Sequence, residues 1–172
     1  MNHLLPFMRG LFIGRFQPLH HGHLHIMKKA LEEVDHLIVG IGSAENSHTP
    51  EDPFTAGERM EMVLRAAKES SIGDRILPVP IRDLDRYTIW VAHVASLVPD
   101  FSVVYSNNPL TSRLFRQAGY EVRGTALVDR THLSGVNVRR LMWEGGCWQE
   151  LVPDSIAAYL AEIDAVKRIK GG

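Results

Sequence analysis

Arg15, His20 and His23 fall in one short stretch, Gly14-Arg15-Phe16-Gln17-Pro18-Leu19-His20-His21-Gly22-His23. A guanidinium is a permanent cation whose planar fork matches phosphate oxygens, and imidazoles three residues apart at a helix entrance can point the same way. Neutral imidazoles donate hydrogen bonds and become cationic when charge builds on neighbouring oxygens. The chemistry these types suit is the handling of a phosphate anion. A second stretch, Ser134-Gly135-Val136-Asn137-Val138-Arg139-Arg140, has a capping serine and then Arg139, while Arg140 reads as a solvated helix charge. His21 and His25 read as exposed; the run His-His-Gly-His-Leu-His lacks the carboxylate or thiolate partner that a chance metal site would need. Asp52, Asp83 and Asp85 read as loop caps and turn formers, so no protein metal ligand is expected.

The elements around these stretches explain how they could meet. Gly10-Leu11-Phe12-Ile13-Gly14 is apolar and closed by glycine, a strand buried on both faces. Leu24, Met27, Ala30, Leu31 and Val34 then recur at helical spacing, so the loop ends at a helix N-terminus near Gly22, where free N–H groups and the peptide dipole favour an anion. Residues 37–42 form a second apolar strand, 43–54 a loop, and Thr55 with Glu58 a capping box for a helix that buries Met60, Val63, Leu64 and Ala67. Residues 76–81 are extended with two prolines, which places that strand at a sheet edge. Trp90, Val91, Val94, Ala95 and Val98 make a third helix before Pro99, and 102–106 a fourth strand. Asn107-Asn108-Pro109 caps a helix that turns Leu110, Leu114 and Phe115 inward until Gly119. Residues 120–122 are a fifth strand, and the stretch to His132 is irregular. Ser134 caps a helix containing Val138, Leu141 and Met142 and closed by Gly145-Gly146, and a last helical stretch runs from Pro153 towards Lys170.

Strands alternating with helices give a doubly wound parallel α/β sheet, and the proline-bearing strand at an edge fits the order 3-2-1-4-5, with C-terminal helices beyond it. The switch point then lies between strands one and four, where the Arg15 to His23 loop and the Asn107-Asn108-Pro109 turn both open. At 172 residues the chain is expected to be one domain, with residues 1–7 a loose extension. A net charge of −1 leaves no global field for nucleic acid or anionic lipid, so any polyanion is held by a few placed cations. The lone Cys147 excludes an internal disulfide and no apolar run reaches a membrane span, which together point to the cytoplasm.

The first stretch, ending in His20-His21-Gly22-His23, resembles the HxGH signature of the Rossmann-like nucleotidylyltransferases. More narrowly, residues 8–170 resemble the archaeal-type nicotinamide-nucleotide adenylyltransferases through three blocks in order: Gly14 to His23; Gly40-Ile41-Gly42-Ser43-Ala44 with Asp52-Pro53-Phe54-Thr55-Ala56-Gly57-Glu58-Arg59; and Ser134 to Arg140. The resemblance implies transfer of AMP from ATP to nicotinamide mononucleotide (NMN), or its nicotinic-acid analogue, giving NAD⁺ and pyrophosphate. It implies Arg15, His20, His23 and Arg139 as the catalytic set, with Gly14, Phe16, Gln17, Gly22, Asn108, Ser134 and Gly135 around the nucleotide phosphates. Arg139 is assigned to the β- and γ-phosphates. The family's usual Thr after the second-block Gly is Val136 here, which removes one hydroxyl contact. Trp90, which periodicity alone places in the core, is implied as the platform for the nicotinamide ring, with Leu84 and Tyr87 beside it; Arg86-Tyr87 depart from the family's usual polar Asn there. The cofactor implied is Mg²⁺ carried by the ATP phosphates, and the assembly a homo-oligomer, often a hexamer. Another nucleotidylyltransferase, acting on phosphopantetheine or a small phosphate ester, and a non-catalytic nucleotide sensor share the same motif.

Overall fold

The computed structural model describes residues 7–125 and 132–171. Its elements in chain order are β1 (Arg9–Gly14), α1 (His21–Ala30), β2 (His36–Ile41), α2 (Ala56–Glu69), β3 (Ile76–Pro80), α3 (Tyr87–Leu97), β4 (Val103–Tyr105), α4 (Pro109–Gln117), β5 (Glu121–Arg123), α5 (Gly135–Glu144), α6 (Asp154–Glu162) and α7 (Ala165–Ile169). All four strand pairings are parallel, in the order β3-β2-β1-β4-β5, as the sequence predicts. The two prolines of β3 sit at the edge, where missing ladder donors are tolerated.

Alternate residues of the central strands feed two separate cores, which is why these strands carry no polar alternation. Phe12, Val39 and Val103 face one side, packed with Met27, Met62, Val138 and Ile156 from α1, α2, α5 and α6. Leu11, Ile38 and Val104 face the other, packed with Val91 and Val94 of α3 and Phe115 of α4. The sheet is thus covered on both faces, with its switch point between β1 and β4.

Several boundaries and burials differ from the sequence reading. The first helix ends at Ala30, and Leu31 and Val34 bury their side chains from the following turn. On α2 the inward stripe is Arg59, Met62, Val63, Ala66 and Ala67; Leu64 lies outside it, 42% exposed, and Met60 is only half-buried. The helical stretch expected from Pro153 to Lys170 is two helices, broken at Asp164, whose φ of 52° is left-handed. Gly119 and Gly145 do close α4 and α5 in the left-handed region, with φ of 90° and 76°. The expected N-terminal extension, apart from Phe7, and the irregular stretch at 126–131 lie outside the described residues.

Candidate active site

The loop leaving β1 is built from the inside out. Phe16 takes a left-handed φ of 53° and turns its ring back under the strand end, where a Cβ on Gly14 would come within 2.9 Å of it. The ring is wholly buried and lies 4.6 Å from the His23 ring, so Phe16 supports the motif from below. Gln17 is buried too, and its amide is committed: Nε2 donates to the Phe54 carbonyl and Oε1 accepts from the Phe54 N–H, each at 2.9 Å. Both residues line the cavity described below and serve as its wall and brace.

A cis Gln17–Pro18 peptide then leads to His20, which occupies the N-cap of α1 in extended conformation. Its N–H donates to His23 Nδ1 at 3.3 Å. A ring nitrogen that accepts cannot carry the proton, so neutral His23 holds its proton on Nε2. The two rings stack at 3.8 Å, and a Cβ on Gly22 would meet the His20 ring at 3.0 Å, so the tight helix entry requires a residue as small as glycine. Burial, with His21 adding like charge, lowers the His20 pKa to about 4. Burial and the neighbouring His20 hold His23 well below 6.5 as well. Both imidazoles are neutral donors near pH 7 until an anion arrives.

The guanidinium of Arg15 is ion-paired with Asp52, whose carboxylate is nearly buried while Arg15 keeps 56% of its side chain exposed. Asp52 closes the turn with Thr49 as expected, and its carboxylate also tethers a cation beside the cavity while leaving part of that cation exposed. Arg59, wholly buried, donates to the carbonyls of Arg15, Gly42, Ser43, Ala44 and Asn46, at distances from 2.8 to 3.4 Å. It joins the first loop to the loop after β2. Arg168 of α7 braces the same region through Glu58 and the Pro53 carbonyl.

Arg139 arrives from the far end of the chain. Ser134 caps α5 by accepting from the Asn137 N–H at 3.2 Å, and Arg139 Nη1 donates to the Gln17 carbonyl at 2.5 Å. Gly135 permits this approach, since a Cβ there would lie 2.8 Å from the Gln17 oxygen. The helix N-termini of α1 and α5 thus converge on one cavity of about 350 Å³ that Arg15, His20, His23 and Arg139 all line. Gly14, Gly22, Asn108, Ser134 and Gly135 line it as well, and so does Val136, which is 67% exposed. The Asn108 side-chain oxygen caps α4, accepting from the Leu110 and Thr111 N–H groups. Glu51 contributes a carboxylate at the rim. Among the described residues no group of three His, Cys, Asp or Glu side chains is set to hold a metal ion.

The expectation that His25 is exposed is not met: it is half-buried, lines this cavity, and has Nε2 sealed without a partner among the described residues. It follows Gly22 by three residues, so one helix face presents both. Trp90, Leu84 and Tyr87 are brought together elsewhere, in a second cavity of about 340 Å³ with Asp83, Asp85 and Thr111. Trp90 meets Phe115 edge-on at 5.6 Å and stays half-buried, and Tyr87 is 62% exposed. Asp83 accepts from Ser43 Oγ at 2.6 Å, linking the loop after β2 to the loop before α3.

Residues 11–141 match the cytidylyltransferase-like family model. A nicotinamide-nucleotide adenylyltransferase of Archaeoglobus fulgidus is 48% identical over 95% of this chain and 96% of its own length. The chain belongs to the nicotinamide-nucleotide adenylyltransferase family. The family member of Halobacterium salinarum is 50% identical, covering 94% of this chain and 90% of the relative. Among solved structures, a bifunctional NMN adenylyltransferase/ADP ribose pyrophosphatase from Francisella tularensis superposes with a TM-score of 0.72 at 22% identity, over 85% of this chain and 45% of that one. That likeness concerns the fold, and the chain spans under half the length of that protein. A structure of the Francisella protein complexed with AMP and an Mn ion superposes with a TM-score of 0.69, also at 22% identity, covering 85% of this chain and 44% of that one. For a member of the adenylyltransferase family, the sequence reading missed Asp52 and Arg59 as the parts that fix Arg15. A carboxylate and an arginine just before and inside a capped helix were the available signal, but their partners lie 37 and 44 residues away.

Proposed function

We propose that this family member transfers the AMP moiety of Mg²⁺-bound ATP to nicotinamide mononucleotide, forming NAD⁺ and pyrophosphate. The supporting observation is that Arg15, His20, His23 and Arg139 line one cavity at the N-termini of two helices, in a chain half identical to relatives named for this activity. The mononucleotide's 5′-phosphate attacks the α-phosphorus in line, and the bond from that phosphorus to the bridging oxygen of pyrophosphate breaks. A phosphate is already an anionic nucleophile, so neither a general base nor a covalent intermediate is required. The protein's task is to align two mutually repelling anions and to stabilise charge spreading over the α-phosphate and leaving group.

The parts suit that task. His23 offers Nε2–H with its tautomer fixed by the His20 N–H. His20 and His23 are neutral in the free protein, and an arriving phosphate raises their affinity for protons, so positive charge grows where negative charge accumulates. Arg15 and Arg139 take the outer phosphates, with the helix N-termini adding N–H donors. The divalent ion travels with the triphosphate as part of the substrate, where it screens the phosphate oxygens from one another. Trp90 receives the nicotinamide ring in the second cavity, a cationic ring against an indole face, with Leu84 and Tyr87 flanking it.

His23→Ala is expected to leave the fold intact and lower kcat by ~10²–10³, the usual cost of losing a transition-state donor, with a much smaller change in ATP affinity. Pyrophosphate release under saturating substrates measures it; turnover near that of the unchanged protein removes His23 from the mechanism. The same assay with NMN, its nicotinic-acid analogue and phosphopantetheine tests the acceptor.

A further inference from the structure

The nucleotide cavity has two ends. One is the phosphate end, set by Arg15, His20, His23 and Arg139. The same cavity is also walled by His25 and Ile26 on α1 and by the Ser106–Asn108 turn after β4. His25 lies ~4.5 Å further along the helix axis than Gly22, on the same face. If phosphates fill the first end, the nucleoside must lie along the second.

The side chains of the Ser106–Asn108 turn, which line the same cavity, each take part in a hydrogen bond that shapes the turn. Asn107 exchanges two hydrogen bonds with Thr125, at 2.9 and 3.0 Å. Asn108 caps α4, and Ser106 Oγ accepts from the Asn108 N–H at 3.1 Å. His25 differs from them. Among the described residues its Nε2 is sealed off with no partner, while Nδ1 is neither sealed nor hydrogen-bonded. A buried N–H without an acceptor is the more costly error, so the ring places its proton on the accessible Nδ1 and leaves only a lone pair in the sealed position. The result is a preoriented N–H donor on a residue of the cavity wall, past His23 along the helix.

We infer that His25 binds the nucleoside part of the triphosphate substrate, donating from Nδ1 to an acceptor atom of the sugar or base. The inference rests on the nucleotide reading of this cavity given above. His25→Phe keeps the ring's bulk and removes the donor, and His25→Asn restores a short donor. Calorimetric titration of the full chain with ATP and with inorganic tripolyphosphate separates the two ends. His25→Phe is expected to weaken ATP binding about three- to tenfold, the range for one lost hydrogen bond, with tripolyphosphate affinity unchanged, and His25→Asn to recover most of the loss. ATP affinity unchanged in His25→Phe, or equal losses for both ligands, overturns the inference. An unsubstituted chain that binds tripolyphosphate but gains nothing from the nucleoside overturns it too, whereas one that binds neither ligand overturns the nucleotide reading beneath it.

Discussion

At the scale of single residues, the histidine pair carries a pH signature whose sign follows from burial. His20 is lowered from 6.5 to about 4, and His23 is shifted in the same direction. Between those values the unfolded chain binds a proton that the folded chain refuses, so stability is fully present above pH 6.5 and is lost as pH falls towards 4. His20→Asn keeps a good N-cap residue while removing one such group. Its melting temperature is expected to fall less steeply than that of the parent between pH 6.5 and 4, as read by circular dichroism; parallel curves would mean that His20 is not held neutral by the fold. The pair itself was legible in the sequence, because spacing along a helix entrance is local information. The tautomer was not, since it depends on which backbone N–H reaches Nδ1.

At the scale of elements, the loops between β1 and α1 and between β2 and α2 are held as one body by Arg59. The strands, their order and the capping box at Thr55 and Glu58 could be read ahead of the structure because apolar runs, proline positions and caps act over a few residues. The bracing between loops could not: Arg59 reads as one more helix charge until its carbonyl partners are brought to it by the fold. Leu64 shows the same limit in reverse, its hydrophobic type suggesting a core position that the helix phase denies. Arg59→Met leaves several carbonyls without donors in a buried site, and is expected to cost at least ~3 kcal/mol in urea unfolding. Lysine cannot span the same acceptors and should rescue little. A midpoint shift smaller than ~1 kcal/mol with an unchanged m-value would show that the loops hold without it.

At the scale of the whole molecule, a net charge of −1 leaves no long-range attraction for anionic substrates, so ligand stabilisation must come from the two cavities themselves. This makes the thermal shift a report on which cavity a ligand occupies. At a hundred times its dissociation constant a ligand adds ~2.7 kcal/mol, which corresponds to ~5–10 °C for a chain of this length. ATP fills only the first cavity in the proposed arrangement, whereas NAD⁺ spans both and places its nicotinamide on Trp90. Trp90→Ala disturbs packing against Phe115 and will lower the melting temperature of the free protein, so the informative quantity is the ligand-induced increment. The increment from NAD⁺, at a concentration fixed by the parent's dissociation constant, is expected to shrink by several degrees while that from ATP stays the same. Equal increments from NAD⁺ in variant and parent would take the nicotinamide off Trp90 and leave the second cavity without its proposed occupant, with the phosphate end of the first cavity untouched by that result.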